Sequence, residues 1–145
     1  MNYDFLYDIN CQYSLQKKDT ISLLDYFKKN QGWVYIAKSK DNPYLKIGRT
    51  SKDPLTRAKS LSSTGVFSDY EIIFSLKFFN HKWGEKHIHN TLNKFRVNKE
   101  FFSVHQDVAF EVIYQTKNLE DELLGRFLVT DMILEDIELL PYSLR

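Results

Sequence analysis

Tyr35 and Lys46 lie on two β-like runs, Trp33–Lys38 and Tyr44–Thr50, separated by Ser39-Lys40-Asp41-Asn42-Pro43, which is a hairpin signal. Side chains alternate along a strand, so Val34 shares a face with Ile36, and Leu45 with Ile47. Opposed residues of an antiparallel pair share a face. Matching the two apolar pairs therefore sets Ile36 against Leu45 and Val34 against Ile47. Tyr35 then opposes Lys46, and Trp33 opposes Gly48. A slip by one residue would bury Lys46. This register predicts a phenol beside an ammonium on the face away from the core. A neighbouring cation lowers a tyrosine pKa, the help a phenol needs to act as a base near neutral pH. An ordinary cross-strand Tyr–Lys contact carries the same signature.

A second group is His81, Glu85 and His89. They recur every four residues and share one face of a helix expected over 81–96. The spacing resembles a transition-metal stripe, but it lacks the H-E-x-x-H order of zinc proteases. His81, at the helix start, reads as incidental. His87 points elsewhere, and His105 has no evident partner.

The elements that must position these groups follow from capping and periodicity. Residues 19–29 read as a short helix with Asp19 or Thr20 as N-cap, ended by Asn30-Gln31-Gly32. Asp53-Pro54 supplies an N-cap acid and a first-turn proline for a helix running to about Ser62. Ser63-Thr64-Gly65 breaks it. In Asp69–Phe79, Ile72, Phe74, Leu76 and Phe78 alternate with Glu71, Ser75 and Lys77, which predicts a third strand. Asn80 caps the helix 81–96. Glu100–Val104 is a short extended piece, followed by helices over 106–116 and 119–139, with Pro141 beyond. This order predicts an α+β domain, a small antiparallel sheet with helices around it.

The chain has 145 residues, 43% apolar and 27% charged, so wholesale disorder is excluded. No apolar run approaches the ~18 residues of a membrane span. The N-terminus lacks the basic head and apolar core of a secretory signal. Cys11 is the only cysteine, which excludes a disulfide scaffold and a multi-cysteine zinc site and predicts a reducing cytoplasmic setting. Net charge is +1 but unevenly spread. Residues 118–145 hold seven acids and two bases, leaving eighteen bases and twelve acids before them. A modestly basic body with an acidic tail is compatible with a polyanion-binding face.

Several short motifs carry a resemblance. Gly32-Trp33-Val34-Tyr35-Ile36, then Leu45-Lys46-Ile47-Gly48-Arg49-Thr50, then Arg57 on the next helix resemble the GIY-YIG nuclease superfamily, in its phage and bacterial branch with a KIGRT second motif. Glu85-Lys86-His87-Ile88-His89 and Glu100-Phe101-Phe102 look like that branch's E-x-x-[IL]-H and E-[FW]-F elements. The resemblance covers roughly residues 32–113. It departs from the pattern at Trp33, which is extra, and at Lys46, which replaces a tyrosine. It implies a three-stranded antiparallel β-sheet flanked by helices, and Mg²⁺- (or Mn²⁺-) dependent hydrolysis of DNA phosphodiesters. Carried over by position, Tyr35 would activate the attacking water and Lys46 would promote its deprotonation. Arg57 would contact the scissile phosphate, and Glu85 would bind the metal. From its place on the helix face, His89 either orients Glu85 or touches phosphate, or is a structural histidine near the active face.

Arg57 offers a planar, permanently charged fork suited to phosphate. Arg49, Lys52, Lys59, Lys86, Lys94, Arg96 and Lys99 supply a perimeter for DNA phosphates, giving salt-sensitive affinity without sequence readout. The expected organisation is an N-terminal helical extension (1–31), a nuclease domain (32–117) and an acidic C-terminal helix (118–145), packed on the domain or at a dimer or partner contact. Two other readings remain open. One is a catalytically inactive nucleic-acid-binding or regulatory module of a phage, mobile-element or defence system. The other is a protein-interaction domain built on the terminal helices.

Overall fold

The computed structural model describes residues 27–63 and 70–127, with side chains through 58 and over 70–125. The helix expected over 19–29 lies mostly outside the described residues, although 27–30 are helical. The Lys59 side chain, the break at Ser63-Thr64-Gly65 and the tail beyond 127 also lie outside them.

The fold is α+β. Strand β1 (Gly32–Lys38) pairs antiparallel with β2 (Leu45–Thr50) and β3 (Glu71–Phe78), with helix α1 (Pro54–Ser63) between the last two. Helix α2 (His81–Thr91), a 3₁₀ turn, β4 (Arg96–Asn98), β5 (Phe101–Phe102) and α3 (Gln106–Phe127) follow. The sheet has five strands in the order β3-β1-β2-β5-β4, not the three that the motifs implied. The additional edge arises because α2 stops at Thr91 and the chain tightens into a 3₁₀ turn over Asn93–Phe95, where the Phe95 N–H donates to the Leu92 carbonyl at 2.9 Å. Residues 96–98 then extend instead of continuing the expected helix.

Both faces of β1 are covered, so Val34, Tyr35, Ile36 and Ala37 are all fully buried. Val34, Ile36, Leu45, Ile47 and Phe102 meet Trp83 and Ile88 of α2 and Ala109, Ile113 and Leu123 of α3 in the main core. Tyr35, Ala37 and Tyr70 form a smaller cluster with Ile72 and Phe101.

The hairpin register differs from the expected one by two residues. Ile36 opposes Ile47, Tyr35 opposes Gly48, and Lys46 opposes Ala37. A two-residue shift keeps every side chain on its face, so apolar matching could not separate the two registers. What separates them is the Tyr35 ring. A Cβ at position 48 would lie 2.6 Å from the Tyr35 hydroxyl, so the ring needs the one bare position on β2 as its partner. A bulge in β3 corrects a second expectation. The register moves from Ile36–Phe74 to Ala37–Ile72, leaving Ile73 extra. Ile72 therefore packs with Tyr35, while Ile73, Phe74 and Leu76 join the main core.

The caps at both helix starts are as expected. Asp53 Oδ1 accepts from the Thr56 N–H at 3.0 Å, and Asn80 Oδ1 accepts from the Trp83 N–H at 3.0 Å. The two helices expected over 106–116 and 119–139 are joined as one of 22 residues, α3, through the described end at Phe127. No glycine or proline interrupts the junction, and Lys117 bridges it to Glu120 at 2.8 Å and Asp121 at 3.0 Å.

Lys99, in the turn between β4 and β5, has φ +43°. A side chain costs free energy in that left-handed region, and glycine does not. Lys99→Gly is expected to stabilise the protein by about 0.5–1 kcal/mol, read as a higher urea midpoint at unchanged slope.

Candidate functional site

Tyr35 sits mid-strand in β1 with its ring across Gly48. Asp53 and Pro54 set the start of α1, and one turn later Arg57 donates from Nε to the Tyr35 Oη at 3.1 Å. Burial pushes the phenol above its usual pKa of 10.0, with Arg57 pulling it down and Glu100 and Glu85 pushing it further up. The cation at the phenol is thus Arg57, where the expected register had put Lys46. Lys46 Nζ lies 3.6 Å from Glu100 Oε2 instead. The correction follows from register: opposite Ala37, Lys46 is two residues out of step with Tyr35.

The position of α2 depends on where β5 ends. On β2 that strand reaches only Leu45 and Lys46, leaving no strand beside β2 from Ile47 onward among the described residues. The Ile47 N–H donates to the Glu100 carbonyl at 2.9 Å, and the Ile47 carbonyl accepts from His89 Nε2 at 2.8 Å. His89 also packs against Phe102, with ring centroids 5.1 Å apart. It therefore pins α2 to the open edge of the sheet.

Glu85, one turn before His89, shares that face. Its Oε1 lies 3.6 Å from Arg49 Nε, and its Oε2 is buried without a hydrogen-bond partner. Burial first, and the charge of Glu100 second, raise the Glu85 carboxyl from 4.5 to about 7, against Arg49, Lys46 and Arg96. Tyr35 pairs with Arg57 and Glu85 with Arg49, and the two pairs are linked by the charge of Glu85 acting on the Tyr35 phenol. Of the four catalytic candidates, Tyr35 and Arg57 are in direct contact, Glu85 acts on Tyr35 by charge, and Lys46 acts on Glu85 by charge while lying beside Glu100.

A polar cavity of about 310 Å³ adjoins this cluster, lined by Arg49, Thr50, Ser51, Lys52, Thr56, Arg57 and His81. Of the expected perimeter, Arg49 and Lys52 are in it. Arg96 acts on Glu85 by charge, with its guanidinium 5.4 Å from the Phe102 ring. Lys86, Lys94 and Lys99 are exposed farther along the chain.

Sequence reasoning missed two residues. Glu100 was noted as part of a motif and given no role, yet its charge acts on both Tyr35 and Glu85. His81 was set aside, yet it is 3% exposed, its Nδ1 has no hydrogen-bond partner, and burial with the Arg49 and Lys82 charges lowers it to about 4. One signal was available: Gly32. A Cβ there would lie 2.6 Å from the His81 ring.

The T5orf172 domain model matches residues 32–117, over half of the chain. The chain belongs to the T5orf172 domain family. This overturns the GIY-YIG resemblance read from the motifs, because the matching family is a different one. The motifs misled for a structural reason. Ile36, Gly48 and Phe102 within them are positions that the core and the Tyr35 ring require in this fold. No curated protein and no solved structure matches the chain. In this T5orf172 domain, no helix among the described residues is long and apolar enough to cross a membrane.

Proposed function

We propose that this T5orf172 domain is a metal-dependent endonuclease that hydrolyses DNA phosphodiester bonds. The observation that carries the reading is the buried, unpartnered Oε2 of Glu85 beside a cavity with three cationic side chains. A lone buried carboxylate oxygen is costly unless something positive meets it. Among the described residues no group of three or more His, Cys, Asp or Glu is arranged to hold a metal. Mg²⁺ needs less than that, since one or two carboxylates and retained waters suffice. Glu85, with Glu100 nearby, fits that demand.

A bound Mg²⁺ or Mn²⁺ would supply charge neutralisation at the phosphoryl and leaving oxygens. Arg57 has committed Nε to Tyr35 and keeps its terminal nitrogens for phosphate oxygens. Tyr35, accepting from Arg57, directs its own hydroxyl proton away from the guanidinium, toward the position of an attacking water. Once ionised, the phenolate takes the water's proton, with Arg57 holding the charge. Its raised pKa keeps the resting phenol protonated, so the rate should climb with pH well past neutrality.

The test is nicking of supercoiled plasmid with Mg²⁺ or Mn²⁺. Tyr35→Phe is expected to lower the rate about 10²- to 10⁴-fold with DNA binding retained. Absence of nicking by the wild type, with DNA binding intact, would leave a nucleic-acid-binding module. The raised Tyr35 pKa is the observation that favours that second reading.

A further inference from the structure

We propose that the cavity between the β2–α1 turn and the start of α2 is a binding site for a phosphate monoester dianion, held by Arg49, Lys52 and Arg57 against a wall formed by His81. Phosphate binding stands on the cavity alone. Assigning the monoester to a phosphorylated DNA end rests on the hydrolase reading above.

Charge is the first reason. Arg49, Lys52 and Arg57 come from three stretches, the end of β2, the turn and α1, and converge on one small volume. Among the described residues two carboxylates touch its lining: Glu85, 3.6 Å from Arg49, and Asp53, which accepts from the Thr56 hydroxyl at 2.6 Å. Guanidinium forks match phosphate oxygens bidentately, and the lysine adds a point charge. Size is the second reason. About 310 Å³ is at the small end of ligand sites, room for a phosphate and its sugar and not for a duplex.

His81 decides between diester and monoester. Its ring is almost wholly buried, it lines the cavity, and its Nδ1 lacks a partner. The charges acting on it are Arg49 of β2 and Lys82 of α2; Lys52 of the turn and Arg57 of α1 share the cavity with it, and Glu85, one turn further along α2, is paired with Arg49. Burial, with the Arg49 and Lys82 charges, keeps this imidazole neutral, and its Nδ1 has no hydrogen-bond partner. A diester has no second proton to lose. A monoester, with its second pKa near 6, brings a second negative charge to the three cations beside that imidazole.

The experiment uses the full chain in EDTA, so that no divalent metal contributes. Inorganic phosphate, dimethyl phosphate, and a short DNA strand with either a 5′-phosphate or a 5′-hydroxyl are titrated by calorimetry. The His81 imidazole is followed in parallel by ¹⁵N NMR. Phosphate is expected to bind one to one and to move the His81 titration upward by at least one pH unit, whereas dimethyl phosphate leaves it in place. Lys52→Ala, at an exposed turn position, should weaken phosphate roughly tenfold, the loss of one charge-assisted contact, without disturbing the fold. Tighter binding of the phosphorylated strand assigns the source to a DNA end. A response to inorganic phosphate alone assigns it to the free anion. Equal effects of phosphate and dimethyl phosphate on His81, or wild-type affinity in Lys52→Ala, would overturn the site. Loss of plasmid nicking with phosphate binding intact removes only the hydrolase reading, and the reverse result removes only this one.

Discussion

Glu85→Gln should abolish DNA cleavage and at the same time make the protein more stable above pH 7. The two effects have one cause. In the unfolded chain the carboxyl ionises near 4.5, whereas in the fold burial and the Glu100 charge hold it protonated up to about 7. Between those values the unfolded chain gives up a proton that the folded chain retains. Stability therefore falls as pH rises from about 4.5 to about 7 and stays low above that. At about 1.4 kcal/mol per pH unit the full loss is about 3 kcal/mol. Glutamine presents a neutral side chain of nearly the same shape and is spared that loss.

The gap between variant and wild type should be absent at pH 4, open through pH 7 and then level off, as measured by urea midpoints. A divalent cation supplies the second half of the test. Binding only to the folded, ionised wild type, it should raise the wild-type midpoint at pH 8 with the logarithm of its concentration above Kd, while the glutamine variant stays unchanged. A wild type that gains nothing from Mg²⁺ or Mn²⁺, or a variant less stable at pH 8, would remove Glu85 from the role of metal ligand. Sites that hold an unfavourable charge for chemistry commonly cost stability in this way.

Much of the frame was legible because it is local. The Asp53-Pro54 start, the Asn80 cap and the strand character of β1, β2 and β3 depend on neighbours a few residues away. What was not legible depends on partners distant in the chain. Two hairpin registers satisfied the apolar pattern equally, and only the clash of a Cβ at position 48 with the Tyr35 ring separates them. That choice changes the site, since it gives Tyr35 to Arg57 and Lys46 to Glu100. The β3 bulge that turns Ile72 over is invisible to a period-two pattern. The short strand β4 was hidden because Phe95 and Arg96 continue the apolar-and-basic rhythm of α2. His81 and Glu100 acquire meaning only when α1, α2 and the β5 turn are brought beside β2.

Glu120 is the clearest instance of such a distant partner, and its removal should be the most damaging single change to the fold. Counted by composition, it belongs to an acidic, solvated tail. In the structure it is fully buried. Its Oε1 accepts from the Phe79 N–H at 2.9 Å and from Lys117 Nζ at 2.8 Å, and its Oε2 accepts from the Asn80 N–H at 2.9 Å. Both backbone donors belong to the β3–α2 junction, so a carboxylate on α3 fixes the point from which α2 departs. The helix stripe gave a readable hint: Ile113, Thr116, Glu120 and Leu123 fall on one face of α3, and all four are buried. Glu120→Ala would take the acceptor from two backbone N–H groups of the junction and leave Lys117, 4.2 Å from the Phe79 ring, with Asp121 as its remaining ion-pair partner. Removing one partner of a buried, hydrogen-bonded ion pair costs about 3–5 kcal/mol, a large share of the about 5–15 kcal/mol that holds a domain together. Glutamine, which keeps one acceptor oxygen but turns an N–H₂ toward the remaining donors, should lose about half as much. Urea unfolding followed by the fluorescence of buried Trp83 would measure both losses. Because α2 carries His81 and Glu85, whatever folded fraction of Glu120→Gln remains should show disturbed divalent-metal binding, and a midpoint unchanged from wild type in Glu120→Ala would mean that the junction is held by something other than this carboxylate.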